Sequence, residues 1–447
     1  MIPDAWRRGE VAVVGLGRSG VAAGKWLAAR GVRVYASDVA DGEAVRDGAR
    51  QLAAVGAAVE TGRHDLERVR AAAAVIVSPG VPPDAPVVAA ARDAGVEIIA
   101  ELDLAVRQLG ASKLAVVTGT NGKTTTTALL AHLLTAGGLR AEAAGNIGRP
   151  LTELASDATP PEWIAVEVSS FQLHDAPCLA PSIGVLTNLS PDHLDRYPDM
   201  EAYYADKRLL FRNASAESVW VLNADDAAVL ALARDAAGAH RHWSVARRSD
   251  AWLDRAAGRL MLGDTPLLAR GELGLLGDHN VSNALAAALA AASAGVGPAD
   301  IARGLSSFRP PPHRLEPVGT VRAVSWINDS KATNVSAAAV ALQAMTGPYV
   351  LIMGGRHKGE PYTPLLPLLG ACRAIVAYGD AADRIATDLS GDVPLERVAR
   401  FDDAVARAAR LAQHGDAVLL SPACSSFDQF ANFEHRGRRF RELVEAL

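Results

Sequence analysis

Short apolar runs alternate with longer alanine-rich stretches along most of the chain. In the first hundred residues, strands are predicted at VAVVGLG, VRVYASD, AAVIVSPG and VEIIAE, and the segment GVAAGKWLAARG predicts a first helix that ends at Gly31. Strands that alternate with helical segments favour a parallel sheet with crossover helices. Residues 11–100 therefore predict one α/β unit.

The same alternation returns twice. A second unit opens at KLAVVTGTNGKTTTTALLAHLLTAGG and continues through EWIAVEVSSFQL, SIGVLTNL and SVWVLNADD. The run FRPPPHRLEPVG, with three consecutive prolines at residues 310–312, then interrupts regular structure and predicts a linker. After them AVSWINDS, YVLIMGG, AIVAYGD and AVLLSPA predict a third parallel sheet. The expected domains are residues 1–101, 102–310 and 311–447.

Composition narrows the class of protein. The chain has 447 residues, is 49% hydrophobic and carries a formal net charge of −5, which gives no general attraction to nucleic acid. Its three cysteines are widely spaced, which is typical of a reducing compartment. The N-terminus lacks the apolar run of a signal peptide, and the segment NALAAALAAASAGV is too weakly hydrophobic for a membrane span. We expect a soluble cytoplasmic protein without a nucleic-acid partner.

The first glycine-rich loop follows the first predicted strand. Gly15, Gly17 and Gly20 have the spacing of a dinucleotide-binding turn, and Asp38 comes 18 residues after Gly20. This spacing lets the backbone approach a diphosphate, but it does not identify the nucleoside. A nicotinamide dinucleotide and a UDP-sugar are both compatible with it.

The second glycine-rich loop, GTNGKTT, lies between a predicted strand and a predicted helix. Its backbone amides and the helix N-terminus suit phosphate oxygens, Lys123 suits the β- and γ-phosphates, and the Thr124 hydroxyl suits Mg²⁺. Val117 occupies the position at which the common pattern has its first glycine, so the loop is a variant. The competing interpretation is a glycine- and threonine-rich turn with a solvated lysine.

Candidate metal ligands follow two further strands. Glu167 ends the strand WIAVEV, and Asp192, His193 and Asp195 cluster after IGVLTNL. The carboxyl ends of parallel strands open onto one crevice, so Glu167 and His193 are expected near the phosphate loop, where a sparse ligand set suits Mg²⁺. Taken alone, Lys207 predicts a surface lysine on a helix.

Nine short motifs in a fixed order resemble the Mur ligases, the ATP-dependent amide-forming enzymes of peptidoglycan precursor synthesis. The matching stretches include GTNGKTT, EVSSFQL, NLSPDHLDRY, the lysine of YYADKRLLF, GDHNVSNALAA, PPHRLE, NDSKATN and GGRHKG. Within the family, the segments PPHRLE and SPACSSFDQFANFEHRG look most like the branch that adds D-glutamate. Together with GLGRSG near the N-terminus, the resemblance covers nearly the whole chain.

The resemblance implies an α/β fold of three domains. These are a Rossmann-like N-terminal domain for the uridine nucleotide, a central P-loop ATPase-type domain, and a Rossmann-like C-terminal domain that closes on ATP and D-glutamate. The implied reaction is ATP-dependent addition of D-glutamate to UDP-N-acetylmuramoyl-L-alanine through an acyl phosphate, in the cytoplasm. The expected partners are these three small molecules, and the expected oligomeric state is a monomer.

The resemblance also implies roles for individual residues. Four are implied to be catalytic: Lys123, Glu167, His193 and Lys207. The implied ATP-binding residues are Gly119, Thr120, Asn121, Gly122, Lys123, Thr124, Thr125, Asn280, Asn283, His313, Arg314, Asp329 and Lys331. Two Mg²⁺ sites are implied, with the ligands Thr124, Glu167, His193 and Lys207, the lysine as its carbamate. The UDP-linked substrate is assigned to Arg18, Ser19, Asp38, Gly80, Asn146 and His193, and D-glutamate to Thr333, Lys358, Ser426 and Phe433.

Several of these residues have simpler interpretations. Asn280 suits a helix start, Asp329 suits a cap, and His313 and Arg314 suit polar linker positions. In residues 39–110 the one imidazole, His64, is expected at the surface, which leaves a dehydrogenase without a recognisable acid–base group. Arg356 and His357 make GGRHKGEPY bulkier than the family's usual loop, so its conformation is open.

Three other functions compete with this one. A nicotinamide dehydrogenase accounts for residues 11–38 but leaves the second loop and Lys207 without a purpose. A folate polyglutamate synthase, or a sister ligase that adds a diamino acid, shares the phosphate loop, whereas the block SPACSSFDQF favours D-glutamate. A non-catalytic nucleotide-binding module is disfavoured because every charged position needed for the chemistry is filled.

Overall fold

The computed structural model describes residues 2–190, 197–275, 277–310, 312–391 and 393–447. The chain forms two compact units, Met1–Leu273 with Ser282–Phe308 and Gly274–Val281 with Arg309–Leu447. Both units are built from largely parallel sheets with helices in the connections, as the alternating pattern predicts. No helix within the described residues is long and apolar enough to cross a membrane.

The N-terminal sheet of the first unit is parallel throughout its described pairings. Its strands are β1 (Glu10–Val14), β2 (Arg33–Asp38), β3 (Ala58–Thr61), β4 (Ala74–Val77) and β5 (Ile98–Ala100). The accompanying helices are α1 (Asp4–Arg8), α2 (Arg18–Ala28), α3 (Glu43–Ala53), α4 (Leu66–Arg70), α5 (Pro86–Asp93) and α6 (Glu101–Val106). The strand order is β3-β2-β1-β4-β5. Successive strands are therefore added to one side of β1 up to β3 and to its other side from β4 onward, and this reversal lies between β1 and β4. Ligands of such sheets bind at this reversal, beyond the carboxyl ends of the strands.

Strand β1 is buried on both faces. Val11 and Val13 pack into a core with Trp26, whereas Ala12 and Val14 point the other way and pack into a second core with Val75. A strand covered on both faces reads as a continuous apolar run rather than an alternating one. This is why VAVV predicts its strand so clearly.

The central sheet of the first unit is larger. Its strands are β6 (Lys113–Thr118), β7 (Ala141–Gly145), β8 (Trp163–Glu167), β9 (Ile183–Leu186), β10 (Val219–Asn223), β11 (Ala239–Ser244), β12 (Ala251–Asp254), β13 (Arg259–Leu262) and β14 (Thr265–Ala269). The helices of this region are α7 (Lys123–Ala136), α8 (Leu151–Leu154), α9 (Ser170–His174), α10 (Met200–Arg208), α11 (Ala227–Ala233), α12 (Asp278–Ser293) and α13 (Pro298–Ser307). The order β14-β13-β12-β11-β10-β9-β6-β8-β7 places the carboxyl ends of β6, β8 and β9 side by side.

The second unit contains a further sheet. Its strands are β15 (Glu316–Val321), β16 (Val324–Asn328), β17 (Tyr349–Gly354), β18 (Cys372–Tyr378), β19 (Leu395–Val398) and β20 (Ala417–Leu420), in the order β15-β16-β20-β17-β18-β19. The later helices are α14 (Val335–Gln343), α15 (Ala382–Asp388), α16 (Phe401–Leu411) and α17 (Phe433–Glu445). Short 3-10 helices span Leu209–Phe211, Arg270–Glu272, Thr363–Leu368 and Gly379–Ala381.

The expectation that this last sheet is wholly parallel is wrong at one edge. Strand β15 pairs antiparallel with β16 across a turn in which Arg322 and Ala323 both have positive φ. The end of the segment predicted as a linker, EPVG, therefore belongs to a strand. Pro317 is tolerated there because β15 is an edge strand, where a missing amide proton need not break the ladder.

Candidate active site

The loop after β6 approaches neighbouring chain segments closely. Gly119 and Gly122 have φ of +138° and +82°, a region that favours glycine. A methyl group at Gly119 would lie 2.0 Å from Thr187 Oγ1, and one at Gly122 would lie 2.2 Å from Asn283 Oδ1. Val117 is fully buried within β6, so the strand continues through the position of the usual first glycine and the turn begins later.

The side chain of Lys123, the first residue of α7, folds back over this loop. Its Nζ donates to the carbonyl oxygens of Gly119 at 3.0 Å and of Thr120 at 2.6 Å. The ammonium group therefore lies at the mouth of the loop and at the N-terminus of α7, where anions are favoured. A cation there suits phosphate oxygens, and the ATP-binding role of Lys123 stays a prediction.

Thr124 and Glu167 are in contact. Thr124 Oγ1 donates to Glu167 Oε2 at 2.7 Å, and Asn146 Nδ2 donates to the other carboxylate oxygen at 3.3 Å. Glu167 ends β8 and is 3% exposed. A hydroxyl and a carboxylate at the edge of a phosphate loop are ligands that Mg²⁺ accepts alongside phosphate and water. The described residues therefore fit the ion, and the ligand roles stay predictions.

Lys207 is buried, so its interpretation as a surface lysine is wrong. It lies near the end of α10, is 1% exposed, and its Nζ donates to Thr118 Oγ1 at 3.0 Å and to the Gly119 carbonyl at 2.9 Å. The helix thus points this amine at the base of the phosphate loop. Its carbamylation stays a prediction.

The segment 191–196 lies outside the described residues. It contains His193, which was assigned to the metal and to the UDP-linked substrate, together with Asp192 and Asp195. Among the residues that the structure describes, no cluster of three His, Cys, Asp or Glu side chains has the arrangement of a metal site. The second Mg²⁺ site therefore stays a prediction.

Asn188, which sequence reasoning missed, pairs with the front of the phosphate loop. Its carbonyl accepts from the Thr120 amide at 2.9 Å, and its Oδ1 accepts from the Asn121 amide at 2.9 Å. Its own Nδ2 donates to the Asn121 carbonyl at 3.0 Å. The signal was its position two residues after β9, at the same sheet edge as the loop.

Helix α12 carries both asparagines assigned to the nucleotide. Asn280 lies in its first turn, as its simpler interpretation predicts, and the side chain of Asn283 contacts the phosphate loop and α7. Thr126 Oγ1 donates to Asn283 Oδ1 at 3.3 Å. Both asparagines are more than nine-tenths buried.

A cavity of about 410 Å³ opens at the reversal point of the N-terminal sheet. Its lining includes all five described residues that were assigned to the UDP-linked substrate: Arg18, Ser19, Asp38, Gly80 and Asn146. Helix α2 begins at Arg18, so its N-terminal amides face this space. A methyl group at Gly20 would lie 1.8 Å from the Gly15 carbonyl oxygen, so the loop and the helix meet too closely for any side chain there.

The Asp38 carboxylate braces the first glycine loop. Its Oδ2 accepts from the Leu16 amide at 2.8 Å, and its Oδ1 accepts from the Ala40 amide at 2.8 Å. Asp38 therefore holds the loop in place and also contributes to the lining of the cavity. An anion here disfavours a phosphate beside it and favours a neutral part of the ligand.

His64 lines the same cavity, so its assignment to the surface is wrong. It is half-buried, and its Nδ1 lies 2.9 Å from the hydroxyl of the buried Ser37. Burial lowers the pKa of His64, and the nearby Asp38 and Glu60 only partly oppose this. It was missed because the preceding strand, β3, lacks a clear apolar pattern, which hid its place at a strand end.

In the second unit, Asp329 follows β16 and is deeply buried. Its carboxylate accepts from Ser421 Oγ at 2.9 Å and from the Leu315 amide at 3.2 Å. Burial raises the pKa of Asp329 to about 7, although these hydrogen bonds and the charges of Arg314 and Arg436 oppose the shift. It is a brace between chain segments rather than a simple cap.

His313 is also buried, which corrects its interpretation as an ordinary linker residue. It has φ of +66°, is 6% exposed, and its Nδ1 lies 2.9 Å from Asn328 Nδ2. Its carbonyl accepts from the amide of Lys331, whose ammonium lies 4.5 Å from the centre of the Phe433 ring. His313, Lys331 and Phe433 therefore form one packed group beyond β16.

The residues assigned to D-glutamate lie on loops at adjacent strand ends. Thr333 follows β16, Lys358 follows β17 and Ser426 follows β20, whereas Phe433 begins α17. Strand β20 lies between β16 and β17, so these loops are neighbours. Ser426 is 2% exposed and Lys358 is exposed.

Arg436, on α17, is fully buried beneath these loops, although the basic cluster EHRGRRF that contains it predicts a solvated helix face. Its five N–H groups donate to Ser330 Oγ, Tyr378 Oη and the carbonyl oxygens of Ser330, Gly354 and Cys424, at 2.8–3.3 Å. A buried guanidinium is tolerated because each donor is paired. It ties together the ends of β16, β17, β18 and β20.

Three family models match successive parts of the chain. Residues 9–100 match the MurD-like N-terminal domain of Mur ligases, residues 117–291 the Mur ligase middle domain, and residues 313–424 the Mur ligase glutamate ligase domain. Together they span most of the chain and agree in order with the three sheets.

Curated relatives match over nearly their full length. The chain is 42% identical to the UDP-N-acetylmuramoylalanine–D-glutamate ligases of Acidobacterium capsulatum and Myxococcus xanthus, covering 98% of this chain and 96% and 98% of theirs. The homologous ligase of Salinibacter ruber is 42% identical with complete coverage of both chains.

Solved structures share the fold at lower identity. The UDP-N-acetylmuramate–alanine ligase of Thermotoga maritima superposes with a TM-score of 0.65 at 20% identity, over 98% of this chain and 99% of that one. A pseudomurein peptide ligase of Methanothermus fervidus gives a TM-score of 0.59 at 20% identity, with the same coverage. These structures agree with the three-domain α/β architecture. The chain belongs to the Mur ligase family.

Proposed function

We propose that this protein is an ATP-dependent ligase that joins D-glutamate to UDP-N-acetylmuramoyl-L-alanine during peptidoglycan precursor synthesis. The observation that carries the proposal is the 42% identity to ligases named for this reaction, over 98% of the chain. The packing of Lys123, Thr124, Glu167 and Lys207 around one phosphate loop supports it independently.

The chemistry explains why such a site needs concentrated charge. An oxygen of the alanyl carboxylate attacks the γ-phosphorus of ATP, ADP leaves, and an acyl phosphate forms. The D-glutamate nitrogen then attacks the carbonyl carbon, and the tetrahedral intermediate expels inorganic phosphate while the nitrogen loses its proton. Negative charge is crowded in both steps, so positioning and electrostatics supply most of the catalysis.

We assign the phosphate chain of ATP to Lys123 and the loop Gly119–Thr125. Thr124 and Glu167 would hold one Mg²⁺, which would neutralise phosphate charge when bound. The Thr124 hydroxyl already donates to the Glu167 carboxylate, so the two proposed ligand oxygens lie 2.7 Å apart.

We assign a second metal-binding role to Lys207 with His193. A free lysine is a cation and cannot ligate Mg²⁺, whereas its carbamate is an anion with two oxygen ligands. The burial of the Lys207 amine beside Gly119 supports this role, because it places the side chain at the base of the phosphate loop.

The remaining assignments follow the cavities and strand ends. We assign UDP to the cavity lined by Arg18, Ser19, Asp38, Gly80 and Asn146. The further ATP contacts are assigned to Asn280, Asn283, His313, Arg314, Asp329 and Lys331. D-glutamate is assigned to Thr333, Lys358, Ser426 and the amide of Phe433. We divide the chain into domains at residues 1–101, 102–310 and 311–447.

We further propose that the protein works as a monomer in the cytoplasm, where ATP and UDP-linked precursors are made. A single species of about 47 kDa in light scattering is expected, which follows from the chain mass of 46.6 kDa. A dimer at micromolar concentration would contradict the monomer proposal.

The decisive experiment is an assay of phosphate release from ATP with the purified protein. Release should require both UDP-N-acetylmuramoyl-L-alanine and an amino acid, and an amino-acid panel should select D-glutamate. Equal release with L-lysine or a diamino acid would place the protein in a sister branch. Release without the UDP-linked substrate would contradict the proposed ligase.

A further inference from the structure

The loop after β17 is the one whose bulky residues left its conformation open in the sequence. Its residues GGRHKGEPY include the exposed Lys358, flanked by the bulkier Arg356 and His357. The structure shows three attachments that fix this loop. All three lead to chain segments that carry residues assigned to D-glutamate.

The first attachment joins the loop to the segment that carries Ser426. The Arg356 amide donates to the Ser425 carbonyl at 2.9 Å, and Ser425 Oγ donates back to the Arg356 carbonyl at 3.2 Å. Gly355 permits this approach, since a methyl group there would lie 2.2 Å from the Ser425 oxygen. Lys358 is two residues from this bridge and Ser426 is one residue from it.

The second attachment is made by side chains and spans Lys358. His357 Nδ1 lies 3.0 Å from Tyr362 Oη, and the two rings are 5.4 Å apart. Tyr362 is 1% exposed, and its hydroxyl also lies 2.9 Å from Cys424 Sγ. Burial raises the pKa of the Cys424 thiol to about 11, so this sulfur is protonated at neutral pH.

The third attachment reaches the segment that carries Thr333. Glu360 Oε2 accepts from the Val335 amide at 3.2 Å, two residues after Thr333. The two ends of the stretch from His357 to Tyr362 are therefore joined by a hydrogen bond, and Glu360 in its middle is bonded to the Val335 amide. Lys358 projects from the closed stretch.

We propose that His357 is a positioning residue that sets the direction of Lys358 toward a carboxylate of D-glutamate. The proposal rests on the proposed function, because it takes D-glutamate as the acceptor. A long exposed lysine loses several rotatable degrees of freedom when it binds, so fixing its backbone lowers the cost of pairing with the substrate. The hydrogen bond from His357 across Lys358 to Tyr362 supplies this restraint.

The test compares His357→Ala, His357→Asn, Tyr362→Phe and the double variant His357→Ala/Tyr362→Phe in the phosphate-release assay. His357→Ala should raise KM for D-glutamate about tenfold while KM for ATP and kcat at saturating D-glutamate change less than about threefold. His357→Asn should recover most of the loss, since its amide can replace Nδ1. Tyr362→Phe should match His357→Ala, and the double variant should be no worse than either.

Arg356→Ala is the matched control, because its bridge to Ser425 is mostly main-chain and its side chain is exposed. It should change KM for D-glutamate less than about twofold if position rather than charge is what matters. The proposal would be overturned if His357→Ala raised KM equally for D-glutamate, ATP and the UDP-linked substrate. It would also be overturned by additive losses in the double variant, or by an Arg356→Ala effect equal to that of His357→Ala.

Chemical labelling separates this proposal from the proposed function. The rate at which an amine-reactive ester modifies Lys358, followed by peptide mass spectrometry, should change at least twofold in His357→Ala and Tyr362→Phe and be unchanged in Arg356→Ala. Wild-type protein that fails to use D-glutamate would refute the proposed function, whatever the labelling shows. An unchanged labelling rate in folded His357→Ala would refute the positioning role.

Discussion

The two glycine loops of the first unit have the same plan but opposite bracing. Each follows a parallel strand and leads into a helix, and each uses glycine where a side chain would collide with neighbouring atoms. The first loop is held by a carboxylate, since Asp38 accepts from the Leu16 amide. The second is held by two amines, since Lys123 and Lys207 both donate to the Gly119 carbonyl.

This difference indicates the charge that each loop is built to meet. At the second loop the Lys123 ammonium suits a triphosphate and a developing transition state, and Lys207, as the proposed carbamate, would hold Mg²⁺ there. At the first loop the helix amides and Arg18 suit a diphosphate, and the Asp38 carboxylate suits a neutral nucleoside beside it. A glycine pattern alone therefore does not identify the ligand. The charged groups that brace the loop reduce the number of ligand classes that it can bind.

The largest expected effect is at the second loop. Lys123→Ala should lower ATP-dependent phosphate release by on the order of 100-fold or more, because it removes a cation centred on the transferred phosphoryl group. The thermal shift produced by UDP should be unchanged, since the first loop is intact. A rate within about tenfold of wild type would mean that this loop is not the ATP site.

Lys207 tests whether its amine serves only as a brace. Lys207→Ala should lose about 100-fold in rate and should regain activity with added short carboxylates, which replace the carbamate oxygens. Lys207→Arg keeps a cation but cannot be carbamylated, so it should be equally inactive. An active arginine variant, or no carbon-13 carbamate signal after incubation with labelled bicarbonate, would leave Lys207 as a brace alone.

Substitution of Asp38 tests whether the first loop binds the UDP-linked substrate. Asp38→Ala should raise KM for the UDP-linked substrate about 10- to 30-fold, because two backbone amides lose their acceptor and the cavity wall shifts. KM for ATP should change less than about twofold. In wild type, UDP should raise Tm and NAD should not. A Tm increase with NAD that Asp38→Ala abolishes would identify a dinucleotide site instead.

The smallest expected effect is at Asp329 in the second unit, and it is an effect on the free energy of unfolding. The pKa of Asp329 is raised to about 7, so the folded state holds its proton over a range in which the unfolded chain has lost it. The free energy of unfolding should therefore fall by about 1 kcal/mol between about pH 5.5 and 6.5. Asp329→Asn should remove this component in denaturant titrations, and an identical pH slope in both proteins would contradict it.

Much of the fold could be predicted from the sequence because buried parallel strands are continuous apolar runs. Two polar strands could not be: the edge strand β7 is AEAAG and the interior strand β11 is AHRHWS. Neither has a β-branched residue, and they are stabilised mainly by pairing with their neighbours. Strands β12–β14, in which β13 pairs antiparallel with both of its neighbours, were missed for a related reason, since they lie at the opposite end of the sheet from β7.

The candidate site likewise contains residues that could be predicted from the sequence and residues that could not. Glycine and lysine motifs identify the phosphate loop, because close approach and a centred cation require those residue types. His64 lies in no motif, and Asn188 and Arg436 lie within NLSPDHLDRY and SPACSSFDQFANFEHRG without an assigned role. Their importance depends on which strand ends become neighbours after folding. Burial of Lys207 is likewise a tertiary property that helix periodicity around it does not indicate.

The paired guanidinium of Arg436 has a spectroscopic consequence. With every N–H donating to a fixed oxygen and no exposure to water, rotation about its Cζ–N bonds and exchange of its protons with solvent should both be slow. Most arginine side chains give averaged signals, whereas this one should give separate, long-lived nitrogen-15 resonances. Because its acceptors lie at the ends of four strands, those resonances would report in real time whether the loops above them are assembled.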